Sequence, residues 1–85
     1  MKKFYLLFTF ITFSYFLLAQ NVGIGTTTPN ASAQLDVSSN NKGILFPRVN
    51  TSERNAIVNP ATGLMVFDVE KNVPYYFNGV RWMPL

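Results

Sequence analysis

The sequence contains no cysteine and no histidine, and a single tryptophan in 85 residues. Without cysteine there is no disulfide to staple a small exported fold, no thiol nucleophile and no acylation point for a lipid anchor. Without histidine the usual base of Ser or Thr catalysis is missing, and a metal site would have to be built from carboxylates. Charge is scarce as well, with seven Lys and Arg against four Asp and Glu. Those four carboxylates (Asp36, Glu53, Asp68 and Glu70) read as solvent-facing or capping residues: Glu53 starts a helix, and Asp68 and Glu70 flank a turn. Nothing in that pattern points to a carboxylate pair for glycoside cleavage. No catalysis, no cofactor and no metal are expected.

The long apolar run sits at one end. Met1-Lys2-Lys3 is basic, Phe4 to Leu18 is almost wholly apolar, and Ala19-Gln20 leads into a polar stretch. That is the three-part pattern of a secretory leader, with its exit expected between Ala19 and Gln20. The run is short of the roughly 20 residues that span a bilayer. An uncleaved membrane anchor is the alternative, because Leu17 is large for a position three residues before the cut. The expected organisation is a leader over 1–19 and one small module over 20–85, exported to the surface or exterior of a Gram-negative bacterium, with the periplasm as another destination.

Removing the leader changes the charge. Lys2 and Lys3 leave, so Lys42, Arg48, Arg54, Lys71 and Arg81 face the four carboxylates and the remainder carries +1. No basic patch is left to bind nucleic acid. A chain this short buries only about 60% of its unfolded surface. With no disulfide, the missing stability has to come from an unusually good core or from neighbouring subunits, which points toward a homo-oligomer.

Along the chain, "NVGIGTTTPNASAQ" at 21–34 reads as loop, with a short strand possible at Val22–Ile24. It is a poor nucleotide motif: the third glycine of the dinucleotide fingerprint is replaced by Thr28, and no Gly-Lys-Ser/Thr ending follows. "AQLDV" at 33–37 alternates like a half-buried strand. "ILF" at 44–46 reads as a buried strand or extended segment stopped by Pro47. Asn50 and Glu53 form a capping box opening a helix of about two turns, which Asn59-Pro60 ends. "LMVFDV" at 64–69, "VPYYF" at 73–77 and "VRWM" at 80–83 make a three-stranded antiparallel meander. Asn78-Gly79 supplies its two-residue turn, and Pro74 suits a strand start or an edge. The fold class is mainly β, a small α+β with a loop-rich N-terminal half.

The closing aromatics admit two readings. Leu64, Val66, Phe67, Tyr75, Phe77 and Trp82 can fill a core or a subunit interface, since "LMVF" is apolar on both faces of its strand. Tyr76 and Trp82, if exposed, could instead stack on sugar rings, which would make the chain a small carbohydrate-binding module with a glycan as partner.

Taken in order, "NVGIGTTTPNASAQLDV", "KGILFPRV", "SERNAIVNPATGLMVFDVEKN" and "YYFNGVRWMPL" resemble the phage tail-fibre-like repeat module of exported, adhesin-like surface proteins from Bacteroidetes-type bacteria. The matching positions are Gly23, Gly25, Pro29, Leu35, Asp36, Lys42, Gly43, Pro47, Arg48, Arg54, Pro60, Gly63, Asn78, Gly79 and Trp82. The resemblance implies a β-rich, trimeric fibre or adhesin segment outside the cytoplasm, non-catalytic, with other envelope or surface proteins as further partners.

Overall fold

The computed structural model describes residues 21–85, in two units that divide between Lys42 and Gly43. The expected leader, its exit at Ala19–Gln20 and the alternative of an uncleaved anchor lie outside the described residues. Among the described residues, six strands and one short helix make the fold mainly β. Among the described residues no helix is long and apolar enough to cross a membrane.

The first unit is a two-stranded parallel ribbon, β1 (Val22–Ile24) beside β2 (Leu35–Val37), with Val22 opposite Leu35 and Ile24 opposite Val37. The loop between them is tied down by its own polar residues. The Asn30 N–H donates to Asp36 Oδ2 at 2.8 Å, and Asn30 Oδ1 accepts from the Ser32 N–H at 2.9 Å. Gly25 leaves the ribbon with φ +77°, and a Cβ there would run into the Ser38 carbonyl. Only glycine serves at that point. Val22, Ile24 and Leu35 are all exposed, although their register puts them on one apolar side.

The second unit is a four-stranded sheet in the order β3 (Arg48–Val49), β4 (Met65–Asp68), β5 (Val73–Phe77), β6 (Trp82–Pro84). The expected meander is its antiparallel part, and β3 adds a parallel strand beside β4. The expected strand at Ile44–Phe46 is displaced: the ladder starts where Phe67 N–H donates to the Pro47 carbonyl, and strand follows at Arg48. Ile44, Leu45 and Phe46 are exposed, not buried.

The helix α1 spans Thr51–Asn55, shorter than two turns. Its start carries the reciprocal capping pair: Asn50 Oδ1 accepts from the Glu53 N–H, and Glu53 Oε1 accepts from the Asn50 N–H, each at 2.8 Å. It stops early because Arg54 is its only buried residue, so no apolar stripe rewards another turn through Ile57 and Val58.

Both hairpins are fixed by a side-chain oxygen at the start of the turn. Asp68 Oδ1 accepts the N–H groups of Glu70 and Lys71, and Asn78 Oδ1 accepts those of Val80 and Arg81. The second turn corrects the sequence reading. Phe77 pairs with Trp82, and Asn78 N–H reaches the Arg81 carbonyl, so the corner falls on Gly79 and Val80 with Asn78 one place before it. Gly79 takes φ +98°, and Asn78 contributes its side chain rather than a left-handed backbone.

Pro74 sits inside a strand flanked on both sides, not at an edge. Its missing donor faces Leu85, whose N–H donates to the Pro74 carbonyl in the last rung of the ladder, so one bond is forfeited and the rest survive.

Candidate functional site

Strand parity sorts the sheet into two faces. Val66, Asp68, Tyr75, Phe77 and Trp82 share one through the pairs Val66–Tyr75, Asp68–Val73 and Phe77–Trp82. Met65, Phe67, Pro74, Tyr76 and Met83 share the other. The first face, here the inner one, meets α1.

At its centre lies the ion pair between Arg54 and Asp68, 3.0 Å from Nε to Oδ2. Asp68 is fully buried, and Arg54 is 6% exposed. Asp68 was expected beside a turn in solvent; it is the most enclosed side chain of the described residues. A buried carboxylate survives only if its lone pairs are filled, and here they are. Oδ2 accepts from Thr51 Oγ1 at 2.9 Å and from Arg54 Nε; Oδ1 takes the two turn N–H groups at 2.9 Å each. Among the described residues no buried side-chain polar atom lacks a partner.

Arg54 is also roofed by aromatic rings. Its guanidinium carbon lies 4.0 Å from the Tyr75 ring centre and 5.9 Å from that of Trp82. Trp82 in turn meets Phe77 edge-to-face at 5.5 Å and 69°. The arrangement is a lock. One carboxylate ties the helix start, the end of β4 and the β4–β5 turn together, and two aromatics, Tyr75 from β5 and Trp82 from β6, close over its counter-ion, with Phe77 packed on Trp82.

Burial pushes the Asp68 carboxyl upward, but hydrogen bonds from the Lys71 N–H, Thr51, Arg54 and the Glu70 N–H outweigh it and hold the group below the ordinary carboxylate value. Because the folded value is the depressed one, the stabilisation is complete above about pH 4 and disappears as pH falls through the lower folded value. Thermal melts should therefore show a level midpoint from pH 7 to about pH 5 and a steep fall below about pH 4. A profile level down to pH 2 would contradict the role given to Asp68.

The residues expected to form core or interface are divided. Val66, Tyr75, Phe77 and Trp82 gather on the inner face, Phe67 lies on the other, and Leu64 is exposed ahead of β4. The suggested sugar platform is split too: Tyr76 pairs with Met83 on the outer face and Trp82 with Phe77 on the inner. Sequence reasoning missed Arg54 and Thr51 as partners of Asp68. The available signal was parity, which puts Asp68 on the same face as Val66 and so demands a buried counter-charge.

The outer face is half-buried along its strands and opens into a groove beside them. Phe67, Pro74 and Arg48 line a groove of about 390 Å³ with Ile44, Leu45 and Phe46. Across all the described residues Val66 is the one hydrophobic side chain that is buried. A unit so poorly enclosed cannot account for its own stability.

The family described as the phage tail like trimerisation region matches residues 23–85, and the chain belongs to that family. Nothing among curated proteins or solved structures matches it. It is a self-associating structural module, and its family accounts for apolar residues left exposed beside the sheet, such as Ile44, Leu45 and Phe46.

Proposed function

We propose that the chain is an exported, non-enzymatic trimeric segment of a cell-surface fibre or adhesin in a Gram-negative bacterium. The observation that carries this reading is that, among the described residues, a single hydrophobic residue is buried in a chain of the trimerisation family: a fold that encloses so little alone is built to be completed by copies of itself. The leader-like residues 1–19 support export. Three of the four carboxylates support a structural role, because each is engaged in holding the fold. Asp36 holds the loop at Asn30, Glu53 caps α1, and Asp68 is sealed beneath Arg54. The separation of Tyr76 from Trp82 leaves the carbohydrate reading without a specific observation in its favour.

Expression of the full chain in a Gram-negative host, with fractionation and intact mass, tests the reading. A product at the surface or in the medium that begins at Gln20 and migrates at three times its chain mass is expected. A cytoplasmic monomer that retains Met1 would sink it.

A further inference from the structure

The two faces of the four-stranded sheet have different occupants. The inner face is spent within the chain: its aromatics Tyr75 and Trp82 cover Arg54, and Phe77 packs on Trp82. The outer face carries Met65, Phe67, Tyr76 and Met83, an apolar series where an antiparallel sheet open to water would show polar side chains. It continues into the groove under Ile44, Leu45 and Phe46, which are 59%, 71% and 39% exposed. Arg48 is the one charged side chain lining that groove.

Resting on the self-association reading, we infer that this outer face with its 44–46 groove is where copies of the chain meet, and that the closing aromatics Tyr75, Phe77 and Trp82 are not at the interface. The occupant is a second copy for two reasons. Membership of a trimerisation family supplies the partner, and the groove is continuous, through Phe67 and Pro74, with the apolar outer face of the sheet. An apolar centre bounded by an arginine also matches the composition of subunit interfaces. Three identical chains can close about a threefold axis when each turns this face toward that axis. Ile44–Phe46 then has its explanation: these three residues stand outside the sheet's ladder because their side chains serve another chain.

Light scattering behind a sizing column, on the full purified chain across a hundredfold concentration range, tests the assignment. Leu45→Asp is expected to shift the trimer-to-monomer transition at least about tenfold upward in concentration, since it places a charge at the desolvated centre of an interface. Val58→Asp, at an 82% exposed apolar residue outside the groove, should leave the transition unchanged. A wild-type chain that is monomeric throughout overturns self-association itself. A wild-type trimer that Leu45→Asp leaves intact overturns only the choice of face. If Leu45→Asp loses its circular dichroism spectrum, Leu45→Cys gives a second reading, because the chain has no cysteine of its own. Under reducing conditions its thiol should alkylate at least about tenfold more slowly in the trimer than a thiol from Val58→Cys. Equal rates would overturn the assignment.

Discussion

Replacing Asp68 with Asn is expected to lower the thermal midpoint by at least about 15 °C or to abolish folding. The shapes are nearly identical, so packing cannot be the cause. The variant removes the negative charge facing Arg54 and gives one of the two acceptor positions a pair of N–H donors. Whichever way the amide turns, donors then confront donors: Thr51 and Arg54 on one side, or the Glu70 and Lys71 N–H groups on the other. Arg54 remains enclosed without its counter-ion, the costly half of a broken buried pair. Far-UV circular dichroism melts at pH 7 are the check, with Glu70→Gln at the adjacent exposed turn residue as the comparison. A midpoint for Asp68→Asn within about 3 °C of the parent would mean that the pair is incidental.

Trp82→Ala should cost about 2–3 kcal/mol at pH 7. Burial of a whole indole commonly contributes more, but Trp82 is half-buried, and part of its area is in water in the folded chain. Two contacts go with it, the edge-to-face packing on Phe77 and the outer part of the cover over Arg54. Denaturant unfolding measures the loss. Because Trp82 is on the inner face, the oligomeric mass at concentrations where the variant is folded should equal that of the parent. An intact melting curve with a dissociated trimer would reverse both statements and place the indole between chains.

Local chemistry was the most legible part of this chain. The Asn50–Glu53 capping pair, the span of β5 and the β class all follow from residue types a few positions apart, where hydrogen-bond reach and period-two alternation decide the outcome. Less legible were features settled by a distant neighbour. β3 exists because Pro47 and Val49 lie beside β4, which two residues of sequence cannot announce. "ILF" looked like buried strand because it is apolar, and composition does not distinguish a core from an uncovered surface. Asp68 looked like a turn residue because its turn bonds are local, while Thr51 and Arg54 are 17 and 14 positions away. The site was thus half-visible: its aromatics stood out, but the charge they enclose did not.

Pro84 adds a consequence of its own. It lies on β6, at one margin of the sheet, opposite Tyr75 in a pair that does not exchange backbone hydrogen bonds, because the bonded rungs are Asn78–Arg81 and Pro74–Leu85. Its ring nitrogen is consequently turned away from β5, toward the free edge. An incoming strand would need a donor there and would find none. That margin is a poor template for cross-β growth, so at this edge a protein that leaves apolar side chains open to its own kind closes the backbone route by which such chains run on into amyloid.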